Sequence, residues 1–272
     1  MSESDSVKAV TFDNWQTLML EKDGWSAKRR NARCKNIARV LDELGLEISY
    51  DQLESAFEEL YSWLKGIWKE NKEVTHLDHI KFLVEAASEG PVKLDSEEID
   101  QLSSAYVSAT FEVPPYLNPD AREVLNWLKE RDNRIGLICN IGLTPGIGLR
   151  EFLERKGVAE YFDPMVFSDE VGIRKPDPKI FQKVTDELQL DPSEIVHIGD
   201  NLKSDIWGAK NAGFKAMHLR IEVGRDKISE SDPTSLISTS RELENLARDQ
   251  IIPDKTITSL SEVIKVVEDL ER

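Results

Sequence analysis

Residues 7–18 read VKAVTFDNWQTL, and the fold turns on this stretch. Val7 to Phe12 is a short apolar run, too brief for a helix, and it breaks at Asp13 into polar residues. It predicts a buried strand at Ala9–Phe12 that delivers one carboxylate to its carboxyl end. Arg134–Cys139, Glu194–Ile198 and Lys215–Leu219 have the same character, with Met165–Phe167 a weaker fifth. Helical periodicity fills the gaps at Asp120–Arg131, Ile147–Lys156, Pro178–Leu188 and Asp205–Ala212. Strand alternating with helix predicts right-handed crossovers and a mostly parallel sheet covered on both faces, a three-layer α/β core of Rossmann-like type.

One long segment departs from this alternation. Ser26–Leu44, Tyr50–Lys69, Leu77–Ser88 and Ser96–Thr110 are helical patterns with no strand signal between them. Pro114 and Pro115 close the run, since consecutive prolines cannot continue a helix. The chain therefore divides into an α/β core, residues 1–20 and 114–272, and an inserted all-helical unit, residues 21–113. Toward the end, residues 224–240 are polar and turn-rich and are expected on the surface. Arg241–Arg248 and Leu260–Leu270 read as helices around a short edge strand at Thr256–Ile257.

Composition narrows the class of function. The 272 residues include 51 acidic and 35 basic side chains, a formal net charge of -16. Such a surface repels phosphate backbones and anionic membranes, so nucleic acid and membrane partners are not expected. An anionic small-molecule substrate would need a locally basic pocket or a bound cation. The opening residues MSESDSVKAV lack the layout of a signal peptide, and the only two cysteines, Cys34 and Cys139, are expected as free thiols in a cytoplasmic protein.

In open parallel sheets, ligands bind beyond the carboxyl ends of the strands. The polar residues that follow the predicted strands are Asp13 and Thr17, then Cys139 and Asn140, then Lys175, then Asp200 and Asp205. Each type has a task if the substrate is a phosphate. A carboxylate can attack phosphorus, carboxylates can hold Mg²⁺, and an ammonium and an amide can steady the transferring group. Plain readings exist for each: a turn cap at Asp13, a helix N-cap at Asp200, a first-turn dipole partner at Asp205, a solvated loop charge at Lys175, a small core residue at Cys139. Those readings explain the residue types but not their coincidence at one rim. His76 and His79, one helical turn apart, are better read as a surface face than as half of a metal site. Trp25, Trp63 and Trp68 read as core or contact residues of the helical unit.

The motifs TFDNWQTL, LICNIG, GIRKPDPKIF and HIGDNLKSDIWGAKNAG occur in this order, and the chain resembles the haloacid dehalogenase-like hydrolase superfamily. The resemblance covers about Lys8–Leu18 and Tyr116–Arg220, and it makes the helical insert the position of a cap. It implies Asp13 as nucleophile, Lys175 as the motif lysine, and Mg²⁺ held by Asp13, Asp200, Asp205 and the Trp15 backbone carbonyl. Thr17, Trp15, Cys139 and Asn140 are then the expected substrate contacts. Two positions depart from the phosphatase pattern. Trp15 stands where a second aspartate acts as general acid, and Cys139 replaces a hydroxyl residue. An aromatic at the first position is similar to the 2-haloacid dehalogenase branch, which uses no metal and grips substrate with a cap arginine, for which Arg29, Arg30 and Arg33 are candidates. That branch lacks the first carboxylate of the fourth motif, which here is Asp200. The expectation is therefore a Mg²⁺-dependent phosphatase of a small phosphorylated metabolite. The alternatives are a metal-independent 2-haloacid dehalogenase and a catalytically weakened binding protein of the same fold.

Overall fold

The computed structural model describes residues 7–88, 90–220 and 251–270. The core is a six-stranded, all-parallel sheet built from β1 (Ala9–Phe12), β4 (Arg134–Cys139), β5 (Met165–Phe167), β6 (Ile195–Gly199), β7 (Lys215–Leu219) and β8 (Lys255–Ile257). The strand order is β5-β4-β1-β6-β7-β8, so the opening strand lies inside the sheet with β4 on one side and β6 on the other. Successive residues of β1 face opposite ways. Val10 and Phe12 pack with α5 (Ala121–Glu130), α6 (Gly146–Arg155) and α10 (Glu262–Leu270), while Ala9 packs with α8 (Pro178–Leu188). That period of two makes three layers from one sheet.

Four of the five predicted core strands occupy the expected residues. The fifth is Ile195–Gly199, one residue later than expected, because Glu194 belongs to the preceding 3₁₀ turn, where its carboxylate accepts from the Asp191 N–H at 3.0 Å. The expected edge strand at Thr256–Ile257 is β8, and the final helix begins at Glu262. The expected surface loop at 224–240 and helix at Arg241–Arg248 lie outside the described residues. A small antiparallel pair, β2 (Met19–Leu20) with β3 (Tyr116–Leu117), had no signal in the sequence, being two residues long on each side.

The helix expected at Asp205–Ala212 forms differently. A π-helical turn runs through Leu202–Trp207 and then passes into the short α9 (Gly208–Asn211). Asn201 starts it, its side chain accepting from the N–H groups of Lys203 (3.0 Å) and Ser204 (2.9 Å). The Asn201 carbonyl accepts from both Asp205 and Ile206, the wider bond that defines the π turn.

The inserted unit consists of α1 (Trp25–Glu43), α2 (Tyr50–Lys69), α3 (His76–Ala87) and α4 (Ser96–Glu112), with its own apolar cluster around Ile37, Leu60, Leu83 and Tyr106. Capping boxes at Ser49, Thr75 and Asp95 start α2, α3 and α4. The histidine expectation is corrected here. His79 is fully buried, its Nδ1 3.0 Å from the Tyr106 hydroxyl, because α3 packs against both α2 and α4 and His79 lies on its inward face, while His76 one turn earlier is half-buried. Arg29 and Arg33 are buried as well, and Arg30 alone of the three pairs with a carboxylate at the surface, Glu58. Among the described residues, no helix is long and apolar enough to cross a membrane.

Candidate active site

The carboxyl ends of β4, β1 and β6 lie side by side, and the predicted polar residues meet there. The Asp13 N–H still belongs to the sheet, donating to the Ile198 carbonyl at 2.8 Å, while its side chain lies beyond the last strand residue. Lys175 reaches this carboxylate from the loop between β5 and α8. Its ammonium lies 2.7 Å from Asp13 Oδ1, 2.8 Å from Asp205 Oδ1 and 2.6 Å from the Ile138 carbonyl. Asp205 is turned back toward the strand ends by the π turn, and its Oδ2 accepts from the Asn201 N–H at 2.9 Å. Gly199 makes room for it: a Cβ at residue 199 would lie 2.3 Å from Asp205 Cγ. Single carboxylate oxygens of Asp13, Asp200 and Asp205 lie within 4.8 Å of one another.

Electrostatics separates these groups. Burial pushes the Asp13 carboxyl up to about 7, with Lys175 opposing the shift and Asp205 reinforcing it. Burial alone would raise Asp205 too, but Lys175 and then His197 hold it well below the usual carboxylate range. Burial alone would depress Lys175, yet the two carboxylates raise it above its ordinary value. One enclosed ammonium thus serves two carboxylates, with Asp200 a third beside them. Three hard oxygen donors within one ion's reach fit Mg²⁺, and a cation there would relieve the repulsion among them.

The remaining predicted residues divide. Asn140 faces Lys175 rather than open space: its Oδ1 accepts from the Lys175 N–H (2.8 Å) and its Nδ2 donates to the Lys175 carbonyl (2.9 Å). Its amide therefore holds the lysine loop, with one Nδ2 hydrogen left over. Cys139 is fully enclosed, its Sγ 3.5 Å from the Asn140 carbonyl, and burial raises the thiol well above its ordinary value. Both cysteines are free thiols. Thr17 is also enclosed, and its hydroxyl has no hydrogen-bond partner. Trp15 is half-buried and forms an isolated bridge with Met19. That bridge uses Gln16 N–H on Met19 C=O (2.7 Å) and Met19 N–H on Asn14 C=O (2.7 Å), leaving the Trp15 carbonyl out of it.

Three further residues line this region: Arg29, read from the sequence only as one of three candidate cap arginines, and His197 and Asn14, which had escaped the sequence reading. The Arg29 guanidinium lies 5.5 Å from the Trp15 ring centroid, pairs with Glu21 at 2.5 Å and donates to the Val113 carbonyl at 2.9 Å. It ties the indole to both segments that lead into and out of the helical unit. His197, fully buried on β6, sits 2.9 Å from Thr11 Oγ1 and 3.6 Å from Asp205 Oδ1. Asn14 is fully buried with neither amide atom hydrogen-bonded, while its carbonyl accepts from Thr17, Leu18 and Met19. Its only signal was its place next to Asp13.

This geometry agrees with comparisons to known proteins. The family model described as haloacid dehalogenase-like hydrolase matches residues 7–213, and a second, HAD-hydrolase-like, matches 172–262. A glyceraldehyde 3-phosphate phosphatase of Methanopyrus kandleri is 29% identical over 269 residues, covering 98% of this chain and 99% of its own. One of the same name from Pyrococcus abyssi is 31% identical over 219 residues, covering 79% of this chain and 82% of its own. The crystal structure of a 2-haloacid dehalogenase from Pseudomonas syringae pv. Tomato superposes with a TM-score of 0.65 at 22% identity, covering 97% of this chain and 99% of that one. The last likeness concerns the fold, which phosphatases and dehalogenases share. A first strand that ends on a carboxylate, a lysine reaching it from beyond the fifth and an acidic turn after the sixth accompany a family match across three quarters of the sequence, and the chain belongs to the haloacid dehalogenase-like hydrolases.

Proposed function

We propose that this protein is a Mg²⁺-dependent phosphatase that hydrolyses a small phosphorylated metabolite through an aspartyl-phosphate on Asp13. The observation that carries the reading is the cluster of Asp13, Asp200 and Asp205 around one lysine-bound nucleophile. Lys175 holds Oδ1 of Asp13, which leaves Oδ2 to attack. A bond forms from that oxygen to phosphorus as the bond to the leaving oxygen breaks, and the leaving group departs with the electron pair. Water then attacks the same phosphorus, releasing inorganic phosphate and restoring the carboxylate. Mg²⁺, when bound, would supply neutralisation of the negative charge on the transferring group. The side chains of Asp13, Asp200 and Asp205 with the Trp15 carbonyl would hold it. Asn140 keeps the lysine loop in place, and residues 21–113 form a cap over the core. The two relatives named as glyceraldehyde 3-phosphate phosphatases support a substrate of triose-phosphate size and charge.

The test compares two chemistries in one preparation. Hydrolysis of p-nitrophenyl phosphate should vanish with EDTA, return with excess Mg²⁺, and be absent in Asp13→Asn, whose amide cannot attack. Trp15 favours the second reading, a metal-independent 2-haloacid dehalogenase forming an ester at Asp13. EDTA-resistant chloride release from 2-chloropropionate would establish it in place of the first.

A further inference from the structure

A second set of buried polar contacts lies behind Lys175, and half of it belongs to the helical unit. Glu73 occupies the turn between α2 and α3, and its side chain is 0% exposed. Its Oε1 accepts from the Trp68 indole N–H (2.9 Å) and the Val74 N–H (3.2 Å). Its Oε2 accepts from the Ser168 hydroxyl (2.9 Å) and from the Arg174 guanidinium. All four acceptor positions of the carboxylate are taken. The backbones join as well: Glu73 N–H donates to the Gly172 carbonyl (3.1 Å) and Arg174 N–H to the Asn71 carbonyl (2.9 Å), around a bridge between Lys72 and Ile173.

The two core residues gripped by Glu73 both hold Ile141. Ser168 Oγ accepts from the Ile141 N–H at 2.9 Å, and Arg174 donates to the Ile141 carbonyl at 2.7 Å. Asn140, the next residue back, clasps the Lys175 backbone, and Lys175 holds Asp13. An unbroken series of contacts therefore runs from the helical unit to the nucleophile. A tie needed only for stability gains little from this chemistry, because a buried ion pair roughly breaks even against apolar packing. What the carboxylate adds is direction: it fixes two donors, and through them one peptide segment.

We propose that Glu73 is a positioning residue for the reaction, supplied by the helical unit, which keeps the Asn140 and Lys175 loops in register when that unit is seated on the core. The linkage stands on the contacts alone; its catalytic consequence rests on the phosphatase reading. Two measurements on the full-length chain separate them. Hydrogen exchange of Glu73→Gln should show faster exchange at residues 139–141 and 172–175, in the core, although the change lies in the inserted unit. With p-nitrophenyl phosphate and Mg²⁺, kcat should fall roughly 10- to 100-fold, the scale of a misplaced catalytic group, with KM nearly unchanged because Glu73 does not touch substrate. Arg174→Gln should do the same, and the double variant should lose no more than the worse single one. Should Glu73→Gln fold poorly, Ser168→Ala removes one grip on Ile141 and should give the same pattern, more weakly. Unchanged exchange in the core loops, or an unaltered kcat in a folded variant, or losses that multiply in the double variant, would overturn the proposal. If the unmutated chain hydrolyses no phosphate ester, the phosphatase reading fails, and the exchange result still decides the linkage.

Discussion

At the scale of single residues, Trp15 has the clearest chemical consequence. Its indole cannot donate a proton to a departing oxygen, and a positioned acid is typically worth a factor of about 10²–10⁴. The nearest charge described over the ring is Arg29, already paired with Glu21. A phosphatase built this way should favour leaving groups that depart as anions. Across a series of aryl and alkyl phosphates, kcat/KM should fall steeply as leaving-group pKa rises, and Trp15→Asp should flatten the slope. A flat profile in the unmutated protein would mean that another group supplies the proton. Position 15 was legible as anomalous because an indole stands where the phosphatase pattern that the chain resembles carries an aspartate. Asn140 was legible only as a polar residue at a strand end; its engagement with the Lys175 backbone depends on a loop 35 residues away.

At the scale of elements, the π turn after β6 and the glycine before it decide where Asp205 points. A methyl group at residue 199 would fall 2.3 Å from Asp205 Cγ, so the carboxylate must move. Gly199→Ala should lower activity by roughly 10²-fold and raise the Mg²⁺ concentration needed for half-activation, while circular dichroism stays native. In the helical unit, α3 carries a titratable group with no surface. Burial, with Arg33 and His76 adding to it, depresses His79 from 6.5 to about 3. The unfolded chain then takes up a proton before the folded one does. Stability from this group is complete above about pH 6.5 and is lost as pH falls toward 3, at about 1.4 kcal/mol per unit. His79→Gln removes that titration, so between pH 6.5 and pH 5 the variant should gain up to about 2 kcal/mol relative to the parent in denaturant unfolding. An equal pH response in both proteins would refute this account.

At the scale of the whole molecule, a chain of formal net charge -16 gathers three carboxylates at one site, two of them on the single ammonium of Lys175. A divalent cation bound there stabilises the folded state by mass action. At a hundredfold excess over its dissociation constant the gain is about 2.7 kcal/mol, a rise of roughly 5–10 °C in Tm for a chain of this size. Thermal melting with and without Mg²⁺ should show that rise, Ca²⁺-free buffer included, and Asp200→Asn should abolish most of it. A Tm indifferent to Mg²⁺ would leave the carboxylate cluster without its cation.

The sequence by itself determined the local features: which runs are core strands, where helices fill the gaps between them, that four helices follow one another before Pro114, and which charged residues follow each strand. These depend on periodicity and on residues within a few positions of one another, so they are readable without the fold. Tertiary structure alone decided the order of the strands, the π turn that aims Asp205, the burial of Arg29 and His79, and the tie between Glu73 and Arg174, which are 101 residues apart. Such contacts bring together groups whose local sequences carry no mark of each other. A buried carboxylate and a solvated one look alike in a sequence, and only the partners that surround them in space distinguish the two.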